Sequence, residues 1–298
     1  MLLQQLINGL TLGSVYAIIA LGYTMVYGIL ELINFAHGEV YMLGAYLGII
    51  LMGFFTATGV AGPGMSLALT VVFSAMFCAM YGFAMEKVAY KPLRNAPRLS
   101  PLISAIGISI FLQNFVMLTQ GATDKVFPYQ FGETALIISD VRMTATQVLI
   151  IAVSMLMMIS LRLFVSRTRI GKAMRATSQD KTMATLVGID VDMIISVTFV
   201  IGAVMAAIAG VMVAAYYGLV NYTIGYIAGI KAFTAAVLGG IGSIRGAMLG
   251  GIVLGLMESL GAAYISTEYK DAIAFVVLIL ILLVKPAGIF GRDIPEKV

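Results

Sequence analysis

The chain has 298 residues, 61% of them hydrophobic and 11% charged, with a formal net charge of +4 and a mean hydropathy of +1.03. A soluble protein of this composition would expose too much apolar surface to stay dispersed, so that class is excluded. The basic residues are concentrated in a few segments, which indicates orientation in a membrane rather than binding to nucleic acid. The single cysteine, Cys78, excludes an intramolecular disulfide.

Long stretches of the chain contain no Lys, Arg, Asp or Glu, namely residues 1–30, 40–85, 99–123, 143–161 and 193–230. A helix needs about 20 consecutive apolar residues to cross the roughly 30 Å hydrocarbon core of a bilayer. We therefore predict an integral membrane protein of the all-α polytopic class, a helical bundle of eight to nine transmembrane segments. No polar segment is long enough to form a second domain, so residues 1–298 are predicted to be one transmembrane domain.

In chain order, we predict spans at residues 6–29, 40–56, 64–86, 101–119, 145–165 and 193–217, a short apolar segment at 231–241, and spans at 246–264 and 267–284. The 40–85 stretch is predicted to be a hairpin, because glycines and Pro63 interrupt it in the middle. Glycines between 239 and 246 predict a tight turn joining two helices inside the protein, because non-helical backbone at membrane depth is tolerated only there.

Small residues four positions apart let helix backbones approach each other closely in lipid. Such pairs occur at Gly9/Gly13, Gly44/Gly48, Gly246/Gly250 and Gly251/Gly255. They predict a closely packed bundle and identify no substrate.

The distribution of Lys and Arg predicts the orientation. The segments 87–98 and 162–181 and the tail from Lys285 hold 13 of the 18 basic residues, so they are predicted to be cytoplasmic. The 120–144 loop has balanced charges and is predicted to be external. Counting spans outward from these segments predicts an external N-terminus and a cytoplasmic C-terminus.

Two parts of the chain share a pattern. Tyr27-Gly28 and Tyr217-Gly218 each end a long span, and each is followed by a polar break and then a glycine, Gly38 or Gly229. The pattern predicts half-repeats at about 6–119 and 193–284, separated by the 145–165 span. An odd number of crossings between them makes the repeat inverted, and inverted repeats with a broken or half helix are typical of transporters.

The string from Asn34 to Glu39 is the most unusual local sequence and contains the only histidine, His37. Polar groups at membrane depth usually face a cavity or one another, so these residues are candidates for a substrate pathway. The alternative is an interfacial loop in which Asn34 and Glu39 cap the next helix. One histidine without neighbouring ligands predicts no metal site, and no cofactor is expected.

Three more polar residues within spans are pathway candidates: Gln113, Asn114 and Glu258. Adjacent helical side chains point about 100° apart, so only one of Gln113 and Asn114 would face a pathway. Hydrogen bonding between helices is the alternative role for this pair. Glu258 would need a partner, which the sequence does not identify.

The cytoplasmic stretch 166–192 predicts one amphipathic helix from Gly171 to Leu186, ending at Gly188. Such a helix could lie on the membrane or dock into the groove of a partner protein. The chain has no GxxxxGK[ST] motif, so we do not expect it to bind ATP through a phosphate loop.

Several strings together resemble the LivH-type permease subunits of bacterial ABC importers for branched-chain amino acids. They are residues 8–14, 33–39, 104–107, 111–114, 171–189, 231–243 and 266–271. Arg245 departs from the pattern, since relatives commonly have proline there.

The resemblance implies a multi-pass protein of the bacterial inner membrane that is not itself an enzyme. It implies a second related permease subunit, two cytoplasmic ATPase subunits, and a periplasmic binding protein that supplies leucine, isoleucine or valine. It also implies that the 171–189 loop meets the ATPase, through Ala173, Arg175, Gln179, Asp180, Ala184 and Gly188. Urea or short amides are the rival substrates within the family. An ion-coupled secondary transporter is a more distant alternative, and it would require paired acids within the membrane.

Overall fold

The computed structural model describes residues 1–59, 62–94, 96–97, 99–129, 136–138 and 141–291. Arg98, Arg292 and Lys297, which belong to the basic segments, lie outside the described residues. So do positions 130–135 and 139–140 of the predicted external loop.

Eleven α-helices are present in the described ranges: α1 Leu2–Leu30, α2 His37–Thr58, α3 Pro63–Met85, α4 Leu99–Gln120, α5 Ala145–Arg167, α6 Arg169–Gln179, α7 Lys181–Leu186, α8 Val191–Tyr217, α9 Ile224–Gly239, α10 Ile244–Tyr264 and α11 Lys270–Val284. Seven are long and apolar enough to cross a membrane, namely α1 to α5, α8 and α10. With the shorter α9 and α11, the predicted all-α bundle of eight to nine segments is confirmed.

Two predicted segments differ from expectation by the most at their ends. The segment predicted at 231–241 is α9, which begins earlier, at Ile224. The side chain of Asn221 accepts hydrogen bonds from both the backbone N–H and the hydroxyl of Thr223, and this local turn directs the chain into the helix. The second difference is at the end of the span predicted at 64–86. Helix α3 continues beyond Met85 through a π-helical turn, Glu86–Tyr90, and a 3-10 turn, Lys91–Leu93.

Helices α1 and α8 form the centre of the bundle. Helix α10 lies antiparallel to α1 at backbone contact, because a Cβ placed on Gly9 would be 2.8 Å from the Leu256 Cα atom, and one on Gly251 would be 2.5 Å from the Ala17 Cα atom. The predicted role of Gly9/Gly13 and Gly251/Gly255 in close packing is therefore confirmed.

Helix α8 is approached equally closely by α2 and α3. A Cβ placed on Gly44 of α2 would be 2.5 Å from the Ala207 Cα atom, and one on Gly82 of α3 would be 2.6 Å from the Ala203 Cβ atom. Residues without side chains thus bring the helices together where lipid supplies no hydrophobic force between them.

The glycine-rich turn between α9 and α10 is tight, as predicted. Gly240 and Gly242 have φ values of 102° and 88°, which side chains rarely adopt. The Ser243 hydroxyl accepts a hydrogen bond of 3.1 Å from the Gly246 N–H and so caps α10. Arg245, exposed in the first turn of α10, leaves this turn intact.

The bundle has two distinct ends. At one end, Arg94 pairs with Asp192 in the first turn of α8, and the end of α1 lies beside α6 and the 240–243 turn. At the opposite end, Gln4 exchanges hydrogen bonds with the backbone of Arg142. There, two short strands, β1 Lys125–Val126 and β4 Leu219–Val220, pair antiparallel. On the same side, β2 Leu136–Ile138 and β3 Val141–Met143 pair antiparallel.

The described parts of the basic segments therefore share one end, and the loop predicted to be external lies at the other. This relative placement agrees with the charge pattern. Which end faces the cytoplasm stays a prediction.

Candidate functional site

Helices α2 and α9 both begin inside the bundle rather than at its ends. The His37 imidazole, in the first turn of α2, lies against Gly22 of α1, where a Cβ would be 2.5 Å from its Cε1 atom. Gly22 precedes the last residue of α1 by about 12 Å at 1.5 Å per residue. The segment between α1 and α2 therefore folds back into the bundle.

The first turns of these two helices meet at backbone contact. A Cβ placed on Gly225 of α9 would be 2.7 Å from the Gly38 carbonyl oxygen, and one on Gly38 would be 2.8 Å from the Gly229 Cα atom. Only glycine permits this approach, which explains why each helix carries one in its first turn.

Asn34, His37 and Glu39 are all buried at this crossing, with exposures of 2%, 2% and 1%. The Asn34 Oδ1 atom accepts a 3.1 Å hydrogen bond from the Ala36 N–H and a 2.7 Å bond from the Tyr90 hydroxyl. All three side chains lie in the protein interior, and the capping that the interfacial-loop alternative assigns to Asn34 and Glu39 is wrong. Neither Asn34 nor Glu39 caps α2, whose N-cap residue is Ala36 without a side-chain bond.

Glu39 connects three helices. Its Oε1 atom accepts a 3.0 Å hydrogen bond from the Ser109 hydroxyl of α4. Its Oε2 atom has no hydrogen-bond partner among the described residues and lies beside Gly225 of α9, where a Cβ would be 2.5 Å away. Nearby, the Tyr23 and His37 rings meet edge to face with centroids 4.8 Å apart. The structure thus gathers Asn34, His37 and Glu39 into one polar cluster.

Glu258 belongs to a second polar cluster, and its partner is a residue that the sequence analysis missed. The Lys231 Nζ atom of α9 lies 2.7 Å from Glu258 Oε1 and 2.6 Å from Asp271 Oδ1 of α11. The Tyr16 hydroxyl donates a 2.9 Å hydrogen bond to Glu258 Oε2. A lysine in the middle of the apolar run 224–239 is the signal that could have found this pair, since a buried lysine requires a carboxylate.

The second cluster lines a cavity of about 210 Å³. Its polar wall includes Tyr16, Asn221, Lys231, Glu258 and Lys270, and its apolar wall includes Leu12, Val15, Val213, Ile224 and Ile227. Tyr217, the last residue of α8, and Lys270, the first of α11, place the cavity toward the end of the bundle that carries Gln4.

Gln113 and Asn114, on α4, make no hydrogen bond to either cluster among the described residues. Asn114 is exposed, and its side-chain amide donates a 2.7 Å hydrogen bond to the Ile110 carbonyl oxygen of its own helix. Gln113 is half-buried, so the two side chains do point in different directions, as expected. For Asn114 the bond is within one helix rather than between helices.

A third polar cluster lies at the end of the bundle that carries the basic segments. Glu86, next to Lys87 in sequence, is completely buried and pairs with Arg94, which also pairs with Asp192. The Ser196 hydroxyl of α8 donates a 2.7 Å hydrogen bond to Glu86 Oε2.

The 166–192 stretch forms two helices, so the prediction of a single helix from Gly171 to Leu186 is wrong. Asp180 adopts an extended conformation with φ of −157° and ends α6. Its Oδ1 atom accepts a 2.9 Å hydrogen bond from the Met183 N–H, and this bond starts α7. The segment does end at Gly188, whose φ is 84°.

The residues that the resemblance places at an ATPase contact are divided between a buried and an exposed face. Ala184 is buried and Ala173 half-buried, while Gln179, Asp180 and Gly188 are exposed. Arg175 is exposed and donates a hydrogen bond to the Val165 carbonyl oxygen at the end of α5. Beside them, Met183, Leu186 and Val187 form an apolar surface, with exposures of 61%, 74% and 75%.

No group of three His, Cys, Asp or Glu residues that could hold a metal ion occurs among the residues that the structure describes. The arrangement offers two buried polar clusters beside helices that begin inside the bundle. It can provide polar contacts to a small molecule and has no assembly for metal-assisted chemistry within the described ranges.

Comparison of the sequence with known proteins gives matches over nearly the whole chain. A family model described as the branched-chain amino acid transport system permease component matches residues 5–282. The high-affinity branched-chain amino acid transport system permease protein LivH of Salmonella typhimurium is 51% identical over 300 residues, covering 99% of this chain and 97% of that protein. BraD of Pseudomonas aeruginosa, named likewise as a permease protein of this system, is 51% identical over 302 residues, covering 99% of this chain and 98% of that protein.

More distant matches also span most of the chain. A probable branched-chain amino acid transport permease protein, LivH of Methanocaldococcus jannaschii, is 28% identical over 297 residues, covering 94% of this chain and 90% of that protein. The solved structure of PsaBC from Streptococcus pneumoniae in complex with Fab aligns over 96% of this chain and 91% of its own, with 13% identity and a TM-score of 0.45. From the family match and the identity to LivH and BraD over almost the whole length, this chain belongs to the permease component family of branched-chain amino acid transport systems.

Proposed function

We propose that this chain is the membrane-spanning subunit of an ABC importer that carries leucine, isoleucine or valine across the bacterial inner membrane. The observation that carries the proposal is the 51% identity to LivH and BraD over 99% of the chain. The multi-pass bundle supports it, and so does the absence of a phosphate loop from the sequence. ATP hydrolysis would take place in partner subunits.

The proposed partners are a second related permease subunit, two cytoplasmic ATPase subunits and a periplasmic amino-acid-binding protein. Helices α6 and α7 support the ATPase contact, because they lie at one end of the bundle and expose Met183, Leu186 and Val187 next to polar residues. An apolar patch with a polar rim is the usual form of a protein docking surface. Ala184 is buried and anchors α7 to the bundle, where α7 contacts α8. A displacement of α7 would therefore be transmitted to α8.

An inverted repeat is the proposed architecture of the two halves, at about 6–119 and 193–284. Two observations support it. Helix α1 packs along α10 as α8 packs along α3, which is the pairing that a two-fold axis would generate. In addition, Asn34 and Asn221 each accept a hydrogen bond from the N–H two residues later, immediately before α2 and α9.

The substrate pathway is proposed to pass near the inner ends of α2 and α9, where Asn34, His37 and Glu39 lie, and beside Glu258 in the second cluster. Gln113 and Asn114 on α4 remain candidates only where a second permease subunit covers that face. Helices that begin within the membrane are a common feature of transporter substrate sites.

The proposal is tested by uptake. The chain is expressed with its binding protein, second permease and ATPases in a bacterial strain that lacks uptake of branched-chain amino acids, and entry of labelled leucine, isoleucine, valine, urea and acetamide is measured. We expect uptake of the three amino acids that depends on ATP and persists when a protonophore collapses the proton gradient. Uptake of urea or acetamide alone would overturn the substrate, and uptake that the protonophore abolishes while ATP is maintained would indicate an ion-coupled transporter.

A further inference from the structure

The cavity beside Glu258 is open at one side and is lined by both polar and apolar residues. Tyr16 and Val213 are buried in its interior, with exposures of 5% and 2%, while Ile227 and Leu219 on its rim are about half exposed, at 48% and 52%. A single water needs roughly 10–15 Å³ of such volume. A cavity of about 210 Å³ therefore has room for a molecule of the size of a small amino acid.

Not every charged side chain that faces this cavity is paired with another charged side chain. Lys231 is held by two carboxylates, Glu258 and Asp271, at 2.7 and 2.6 Å. Lys270 also lines the cavity, and it forms no ion pair with any residue in the described part of the chain. The wall therefore presents a carboxylate, Glu258, whose two oxygens also contact Lys231 and the Tyr16 hydroxyl, and an unpaired ammonium group, Lys270.

The rest of the wall is aliphatic. Leu12 and Val15 of α1, Val213 of α8, and Ile227 of α9 surround the side of the cavity away from the charges. A ligand that matches this wall has a carboxylate and an ammonium group at one end and an aliphatic group at the other. A simple anion would face Glu258, and a simple cation would face both lysines.

We infer that this cavity is a transient subsite for a zwitterionic aliphatic amino acid inside the subunit, with Lys270 contacting the carboxylate, Glu258 contacting the ammonium group, and Leu12, Val213 and Ile227 contacting the side chain. The inference rests on the proposed function, since it gives that function a place in this chain where the substrate is held. Lys231 is a positioning residue, because its Nζ atom lies 2.7 Å from Glu258 Oε1 and fixes the orientation of that carboxylate.

The test follows a diazirine-bearing leucine analogue through the complete complex. Binding protein loaded with the analogue and ATP are added to the assembled importer in lipid, the sample is illuminated, and the labelled residues are mapped by mass spectrometry. We expect labels in the walls of the cavity, at Leu12, Val213 or Ile227, and we expect excess leucine to remove them. Uptake of labelled leucine by the same preparation is measured in parallel.

Two substitutions examine the polar contacts, each with a matched control. Lys270→Met and Glu258→Gln are each expected to lower labelling of the cavity about tenfold or more, as for loss of a hydrogen bond to a charged group. Lys270→Arg should retain labelling, and so should the controls Lys125→Met and Glu268→Gln, whose side chains do not line the cavity. Assembly of every variant is measured by size-exclusion chromatography. Lys270 is exposed and outside any ion pair of the described residues, so Lys270→Met decides the question even if Glu258→Gln fails to assemble.

Each result is decisive. Labels outside the cavity, or labels in the cavity that Lys270→Met leaves unchanged, would overturn the subsite while leaving the proposed function intact. Failure of the wild-type complex to take up leucine would overturn the proposed function and the subsite together.

Discussion

Glu86 illustrates how single residues carry charge inside this protein. Its carboxylate is fully buried and has three partners, the Arg94 guanidinium, the Ser196 hydroxyl and the Lys87 ammonium group at 3.7 Å. These partners replace the water that the carboxylate loses on burial. Removing the charge on one side of a buried pair leaves the other uncompensated, which is more costly than replacing the whole pair by apolar groups.

We therefore expect Glu86→Gln to destabilise the protein by about 3 kcal/mol, toward the lower end for a broken buried pair, because Arg94 keeps Asp192 as a second partner. The measurement is thermal unfolding of the purified protein in detergent. Glu268→Gln, at an exposed position, is the control and should change stability by no more than about 0.5 kcal/mol. Equal unfolding temperatures for both variants would contradict the role of the Glu86 pair.

A second residue-scale prediction concerns the glycines between α1 and α10. Gly251→Leu should prevent normal packing, because its Cβ alone would be 2.5 Å from the Ala17 Cα atom and backbone cannot move aside. Overpacking typically costs about 1–3 kcal/mol, and a clash with backbone belongs at or above the upper limit. Gly107→Leu is the matched control, since nothing lies within 4 Å of a Cβ there. The yield of monodisperse protein after detergent extraction should fall for the first variant only.

At this scale the sequence predicts which residues are unusual but not which residues meet. Glu258 stands out because it is a carboxylate in an apolar helix, and its need for a partner follows from the cost of a bare charge. That Lys231 meets it depends on how α9 and α10 fold back across the Gly240–Gly242 turn. Likewise, the contact of Glu39 with Ser109 depends on the packing of α4 against α2.

For helices α6 and α7, too, the sequence predicts the type of structure but not its exact arrangement. The apolar and polar residues of 171–186 predict helix, and helix is present on both sides of Asp180. The break arises because an aspartate can cap a new helix from an extended conformation, which here has φ of −157°. Long spans are easier to predict than such breaks, because lipid excludes charge from about 20 residues at a time.

We expect Leu186→Asp to reduce the ATPase stimulation that loaded binding protein produces in the complete complex by about tenfold or more, as for loss of an interface anchor. The leucine side chain is 74% exposed, so the change should not disturb folding of this subunit. Thr185→Asp adds the same charge at an exposed neighbour on another side of the short helix and is the control. Full stimulation in the Leu186→Asp complex would remove α7 from the ATPase interface.

For the whole molecule, the bundle has two chemically different ends, and the helices alternate in direction between them. When the helices are counted along the chain, the end of α11 falls with the basic segments only if α9 is a separate segment and not part of one kinked span with α10. The Gly240–Gly242 turn and the cap by Ser243 separate the two helices, which places the end of α11 with the basic segments. The distribution of Lys and Arg predicts which loops share one side of the membrane, because these residues are concentrated in the loops of that side.

Orientation is tested with single cysteines in a Cys78→Ser background. Cysteines introduced at Gln4 and Glu268 should react with an impermeant thiol reagent added to spheroplasts, because both belong to the end predicted to be external. Cysteines introduced at Lys172 and Lys285 should react only after the membrane is opened. Reaction of Lys172→Cys in intact spheroplasts, together with protection of Gln4→Cys, would reverse the orientation.

The crossing of α2 and α9 at Gly38 and Gly225 has an electrostatic consequence. Each helix carries roughly half a positive charge at its N-terminus, from the aligned dipoles of its peptide groups. Here two such ends meet within the bundle, and the Glu39 carboxylate lies in the first turn of α2 and beside the first turn of α9. The Glu39 carboxyl group thus faces both helix ends. Pulling the helices apart would remove it from one of them and break the backbone contact at Gly38 and Gly225, so we expect α2 and α9 to move together as one rigid unit.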